Sequence, residues 1–122
     1  MTETTTFIHQ VTGHLTNYND GRFTAEFTIG GLPKILSGKF EGEIPPPLRA
    51  PHVTLHFEHP DHLHGEFILD HTSHPIVGPN NLHLPFVKPG IRDPVRFLIE
   101  GPLAAILPGA IHVKGKAAWM IW

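Results

Sequence analysis

Residues 11–29 read VTGHLTNYNDGRFTAEFTI, and this pattern predicts a β-hairpin. Apolar and polar residues alternate on both sides of the Asn-Asp-Gly turn at 19–21, as in strands that bury one face. A three-residue loop ending in glycine is typical of a type I turn followed by a left-handed residue. The turn predicts the cross-strand pairs Leu15–Ala25, Gly13–Phe27 and His14–Glu26. Because both faces pair sensibly in one register, the hairpin favours an all-β fold.

The rest of the chain continues this pattern. It has 122 residues, 40% of them hydrophobic, which suffices for one domain with a single core. Proline and glycine recur throughout, and no long segment keeps the period of an amphipathic helix. We expect an all-β, single-domain antiparallel β-sandwich or closed β-barrel of about eight to nine short strands over residues 7–122. We also expect a flexible polar segment over residues 1–6 to precede this domain.

Charge and composition exclude several classes of protein. The formal net charge is −2, which gives no concentrated basic face for nucleic acid. The chain has no cysteine, so disulfides, thiolate metal sites and cysteine nucleophiles are excluded. There is no Sec-type signal and no run long enough for a transmembrane segment. We therefore expect a soluble protein that is cytoplasmic or exported by a non-Sec route.

Histidine is concentrated in one part of the sequence. Eight of the eleven histidines fall between His52 and His83, with carboxylates among them. Alternation predicts a second hairpin there, in which Leu55 faces Phe67 across a loop at 60–62. In that register the outer face carries three imidazole–carboxylate pairs, Glu58–His64, His56–Glu66 and His52–Asp70.

This predicted face is a candidate metal site. Neighbours two residues apart on a strand are about 6.6 Å apart, and cross-strand partners are closer. Two imidazoles and a carboxylate at one point would hold a divalent transition metal such as zinc. The candidate ligands are His56, Glu58, His64 and Glu66, and the secondary candidates are His52, Asp70, His62 and His112. The alternatives are a solvated face whose pairs maintain the register and a pH-sensitive surface.

A weaker metal signal comes from LPGAIH at residues 107–112, which resembles the second cupin motif, where a proline–glycine turn precedes a metal-binding histidine. Here Pro108 and Gly109 are adjacent, whereas one residue separates them in the motif, and Lys116 replaces an asparagine. The segment HLHGE at residues 62–66 resembles part of the first cupin motif, with its glutamate too early. The resemblance covers a few residues and assigns no family. It implies one alternative function, a small metal-dependent enzyme in a cupin-like barrel.

The C-terminal sequence, WMIW, predicts an interface. Alternation places Trp119 in the core and directs Met120 and Trp122 outward, and adjacent exposed apolar residues often mark a contact surface. Leu103 and Leu107 would extend that patch. We therefore expect a homo-oligomer.

These patterns together predict a small binding or interaction protein rather than a catalyst. Carbohydrate, protein and membrane-surface ligands all fit the composition, and the sequence does not choose among them. A second alternative is a membrane-active or toxin-like β protein, which would expose its C-terminal tryptophans together with residues 103–107.

Overall fold

The computed structural model describes residues 9–90 and 95–120 of the chain. Within these residues the protein is all-β, as predicted. The strands are β1 His9–Asn17, β2 Arg22–Ile29, β3 Leu32–Glu41, β4 Leu48–Phe57, β5 Gly65–Leu69, β6 Ile76–Val77, β7 Asn81–Val87, β8 Arg96–Pro102, β9 Ile111–His112 and β10 Lys114–Trp119. Two single turns of 3₁₀ helix, Pro60–His62 and His71–Ser73, complete the regular structure of this part. No helix among these residues has the length and hydrophobicity needed to cross a membrane.

Eight of these strands close into an antiparallel barrel, so of the two predicted architectures the barrel is the one observed. The order around the ring is β1-β4-β8-β7-β5-β10-β3-β2, with β2 paired to β1. The ring closes between β5 and β7, where Ile68 is opposite Val87 and Leu69 is opposite Phe86. The short strands β6 and β9 lie outside the ring and extend the sheet from β7. Closure removes the exposed strand edges that an open sheet would have.

The first hairpin has the predicted register. β1 and β2 pair Gly13 with Phe27, His14 with Glu26 and Leu15 with Ala25. Gly21 has a φ of +89°, as a left-handed turn residue requires. The backbone N–H of Tyr18 donates to the carbonyl oxygen of Arg22 and closes the loop.

The second predicted hairpin is wrong, because β4 and β5 are consecutive in the chain but do not pair. β4 lies between β1 and β8, where Leu55 is opposite Val11 and Ile99. β5 lies between β10 and β7, so Phe67 is not a neighbour of Leu55. Residues Pro60–His62 form a helical turn, which leads the chain away from β4 instead of folding it back. Any strand with the same alternation can place an apolar residue opposite Leu55. The pattern therefore did not define which strand pairs with β4.

Apolar side chains fill the interior of the barrel. The largest fully buried ones are Phe23, Phe27, Phe40, Phe67, Phe86 and Phe97. Phe86 and Phe97 stack with ring centroids 4.7 Å apart, and Trp119 packs 5.3 Å from Phe97. Trp119 thus belongs to the core, as predicted. The eight-stranded ring is thus filled by its own side chains.

Candidate functional site

The histidines lie outside this apolar core. All eleven are among the described residues, and none of them is buried. A cupin-like centre needs several histidines that point inward at one metal ion. Here the inward positions are occupied by the apolar core, and His112 is exposed on β9, outside the closed ring. This placement does not match the cupin-like alternative.

The four candidate metal ligands do not form the predicted patch. His56 is on β4 and Glu66 is on β5, with β8 and β7 between these strands around the ring. Three strand spacings amount to about 14 Å, which is too far for two ligands of one ion. Glu58 follows β4, and His64 precedes β5. In the described part of the chain, no three His, Asp or Glu side chains are arranged to hold a metal ion. Zinc binding by these residues stays a prediction from the sequence.

The secondary candidates are also dispersed. His52 is exposed on β4, and His112 is exposed on β9. His62 lies in the turn after β4, half-buried, with its ring centroid 5.0 Å from that of His59 in an edge-on contact. Asp70 is buried at the end of β5. The predicted His52–Asp70 pair depended on the incorrect hairpin.

Asp70 instead has a structural role. Its carboxylate accepts hydrogen bonds from the backbone N–H of Thr72 at 3.2 Å, the Thr72 hydroxyl at 2.6 Å and the Ser73 hydroxyl at 3.0 Å, and it pairs with Arg96. Burial acts to raise the pKa of Asp70. The hydrogen bonds from Thr72, Arg96 and Ser73 outweigh burial and hold that pKa below its ordinary value. The carboxylate thereby joins the turn after β5 to β8.

An imidazole–carboxylate cluster does form, but from other residues. Glu100 on β8 lies between two histidines, with Oε1 3.1 Å from Nε2 of His56 and Oε2 3.4 Å from Nδ1 of His83. We term these three residues the histidine cluster. Glu100 is directly opposite His83 on β7 and Thr54 on β4. The sequence pattern contained one signal for Glu100, its outward position after Phe97 and Ile99, but nothing that identified its neighbours.

A different charged feature runs across β2, β3 and β10. Arg22 is directly opposite Lys39, and Lys39 is directly opposite Lys116. We term these three residues the cationic row. Like charges directly opposite one another in a sheet are destabilising. Arg22 has a partner, since its Nε lies 2.6 Å from Oδ2 of Asp20. Among the residues that the structure describes, neither Lys39 nor Lys116 forms an ion pair.

The pairing of Arg22 with Asp20 is local to the first turn. The backbone N–H of Arg22 donates to Oδ1 of Asp20 at 3.1 Å. This hydrogen bond, reinforced by the guanidinium, holds the pKa of Asp20 below its ordinary value despite the opposing effect of desolvation. Asp20 is therefore ionised at neutral pH and offsets one charge of the cationic row.

The cationic row borders a groove of about 320 Å³ on the outside of β3, β10 and β5, within the size range of small-molecule sites. Small residues form the floor of this groove, where Ser37 is directly opposite Ala118. Glu66, opposite Ala118, lies along its rim. Ile68, which is 38% exposed, and Pro89 line the end away from Arg22. We term this feature the outer groove.

A second groove of about 280 Å³ adjoins the outer groove and shares Arg22 and Ser37 with it. It adds the hydroxyl groups of Tyr18 and Thr24, whose oxygens are 3.4 Å apart. The Arg22 end therefore combines positive charge with hydroxyl donors. Sequence reasoning missed this site because its cations come from three separate segments, each an ordinary outward position on a strand.

The predicted interface residues are separated by the fold. Met120 follows β10 and is 48% exposed. Leu103 and Leu107 are half-buried against the core at the opposite end of the barrel, where the N–H of Leu103 donates to the carbonyl oxygen of Asn80. They do not extend a patch around Met120, so the joint exposure that the membrane-active alternative requires is not found among these residues. Trp122 lies outside the described residues.

Comparison with known proteins identifies no relative: no family model, no curated protein and no solved structure matches this chain.

Proposed function

We propose that this protein binds an anionic ligand in the outer groove, beside the cationic row. The observation that carries the proposal is the direct juxtaposition of Arg22, Lys39 and Lys116 on neighbouring strands. The free protein bears the repulsion of this arrangement, and a bound anion relieves it while accepting charge-assisted hydrogen bonds. A surface that served stability alone would place acids between these cations, as the histidine cluster does with Glu100.

The charge balance of the molecule supports an anion at this place. The chain as a whole has a formal net charge of −2. At the outer groove, three cations face the carboxylates of Asp20 and Glu66, which leaves a local excess of one positive charge. A positive site on a negative protein concentrates the local potential and draws an anion to that point.

Two dyes of similar shape test the charge requirement. Anilinonaphthalene sulfonate is anionic, whereas phenylnaphthylamine has the same aromatic body without the sulfonate. We expect the folded protein to bind the sulfonate and to bind the neutral dye much more weakly, as measured by fluorescence titration. Substituting Lys39→Gln and Lys116→Gln together should weaken binding of the sulfonate by about tenfold or more, because two charge-assisted contacts are lost.

Lys114→Gln is the matched control. Lys114 lies on β10 two residues from Lys116, is exposed and does not line the outer groove. The single substitution makes the same charge change per site and should alter affinity by less than about threefold, since exposed charges beyond contact are screened by salt. Equal binding of both dyes, or a loss with Lys114→Gln as large as with the double substitution of Lys39 and Lys116, would contradict the proposal.

We also propose that copies of the chain associate through the surface around Met120, which directly follows β10. The half-exposed thioether side chain supports this, since exposed methionine is enriched at protein interfaces. We expect Met120→Ser to shift the mass from light scattering toward that of the monomer, whereas Ile106→Ser at the other end of the barrel should not. A wild-type protein that stays monomeric at high concentration would contradict this part of the proposal.

A further inference from the structure

We infer that the ligand is an amphiphile, with one singly charged acidic head group and an apolar body that lies across the strands. The inference rests on the proposed function and specifies the chemical class of the ligand. It comes from the change in character of the outer groove from one end to the other.

The polarity changes along one row of directly opposed residues. Arg22, Lys39 and Lys116 are followed by Ile68, which is directly opposite Lys116 on β5. Pro89 lines the groove at the same end as Ile68. Three strand spacings separate Arg22 from Ile68, or about 14 Å. A ligand lying along the row therefore meets cations at one end and apolar side chains at the other.

The floor between the two ends suits an apolar chain. Ala118 presents a methyl group, and Ser37 opposite it is too short to obstruct the groove. The methylene stems of Lys39 and Lys116 flank this floor and can cover an apolar body while their ammonium groups remain in water. The middle of the outer groove thus offers apolar contact beside the ammonium groups of the cationic row.

Glu66 sets the direction of the ligand. It is exposed, lies directly opposite Ala118 and is two residues from Ile68 on β5. Within the described residues it forms no ion pair. Its carboxylate repels an acidic head group on the β5 side of the groove, so the head group is favoured at the cationic row. The local excess of one positive charge matches a head group with one negative charge.

A series of straight-chain carboxylates tests the apolar part. Acetate, hexanoate and decanoate share one head group and differ only in chain length, and each can be titrated by calorimetry or by displacement of anilinonaphthalene sulfonate. Complete burial of one methylene strengthens binding by about fourfold, and a half-covered one by about twofold. We expect affinity to rise steadily from acetate through hexanoate to decanoate, because each added methylene covers more of the groove.

Variants at the two ends separate head group from body. Ile68→Ser should reduce the gain from hexanoate to decanoate by about threefold or more while leaving acetate unchanged. Leu32→Ser is the control, because Leu32 is 67% exposed on β3 and does not line the groove. Glu66→Gln should strengthen decanoate binding by about threefold, because it removes a nearby negative charge. Thermal melts would verify that each variant is folded.

The outcomes distinguish the inference from the function on which it rests. If acetate binds as tightly as decanoate and both need Lys39 and Lys116, the ligand is not an amphiphile, but the proposed anion site is retained. If affinity depends on chain length but not on Lys39 and Lys116, both the acidic amphiphile and the anion site are contradicted. Retention on phosphatidylserine vesicles without any binding of free decanoate would replace the small ligand with a membrane surface. Loss of decanoate binding on self-association would assign the groove to a second copy of the chain.

Discussion

Two regions on the outside of the same barrel arrange their ionisable side chains in opposite ways. On β4, β8 and β7, Glu100 lies between His56 and His83, so a carboxylate separates the two imidazoles. On β2, β3 and β10, the cationic row places three positive side chains side by side. The first arrangement places a carboxylate beside each imidazole and needs no ligand to balance its charge. The second has a cost in the free protein that a bound anion would offset, and this difference is why we propose a ligand site at the outer groove and not at the histidines.

Asp70 is a second carboxylate that is balanced by its neighbours, and it is buried and hydrogen-bonded through both oxygens. We expect Asp70→Asn to reduce the free energy of unfolding by about 2–4 kcal/mol, the range for breaking a buried hydrogen-bonded pair and leaving its partners unsatisfied. Urea unfolding at neutral pH would measure it. Asp61→Asn, at an exposed position in the turn after β4, should change stability by less than about 0.5 kcal/mol. An equally small effect of Asp70→Asn would show that this network adds little.

The stabilisation by Asp70 should also depend on pH in a defined direction. Because its pKa is lowered by folding, the unfolded chain takes up this proton first as the pH falls. The contribution is therefore fully present above the ordinary aspartate pKa of 3.8 and is lost as the pH falls through the lower folded value. Unfolding of wild type and Asp70→Asn should give a constant difference near neutral pH that shrinks below about pH 4. A difference that grows toward acid would contradict the assigned direction.

The histidine cluster should contribute less, since its members are partly exposed. A double-mutant cycle with His56→Gln and Glu100→Gln should give a coupling free energy of about 0.2–1 kcal/mol, the range for partly exposed pairs of this kind. The cycle of His14 with Glu26 is the comparison, with a separation of 3.5 Å and more exposed side chains. Its coupling should be smaller. Equal coupling in the two cycles would mean that the bridging position of Glu100 adds nothing.

The cationic row should respond to neutralisation with the opposite sign. We expect Lys39→Gln to raise the free energy of unfolding by about 0.2–1 kcal/mol in the absence of ligand, because it removes like-charge repulsion between directly opposed strands. The gain should disappear in about 1 M salt, where such repulsion is screened. Lys114→Gln is again the control, since Lys114 is opposite Glu41 and should lose a favourable neighbour instead. A lower free energy of unfolding for Lys39→Gln at low salt would contradict the predicted like-charge repulsion within the cationic row.

The same contrast explains where sequence reasoning succeeded. The first hairpin was predicted with its register because turn and strands lie within nineteen consecutive residues. A short loop leaves the two strands little choice of partner, and the turn residues then specify the register. The burial of Trp119 followed from alternation alone, which is a property of each strand separately.

The candidate site shows where that reasoning failed. His56, Glu58, His64 and Glu66 were grouped by assuming that consecutive strands pair, but a helical turn separates β4 from β5. The residues that do meet are distant in sequence: His56 meets Glu100, and Lys39 meets Lys116. No local pattern links them, because the charged residue at each position is an ordinary outward-facing one.

The sequence by itself determined that this chain forms strands, which side of each strand is buried, and how the first two strands pair. These properties depend on neighbouring residues, through the two-residue alternation of a strand and the geometry of a short turn. Only the tertiary structure decided that the sheet closes into a barrel, that β10 inserts between β3 and β5, and that the cationic row forms there. Backbone hydrogen bonds between strands are nearly independent of side-chain identity, so the choice of neighbours was made by closing and packing the whole barrel.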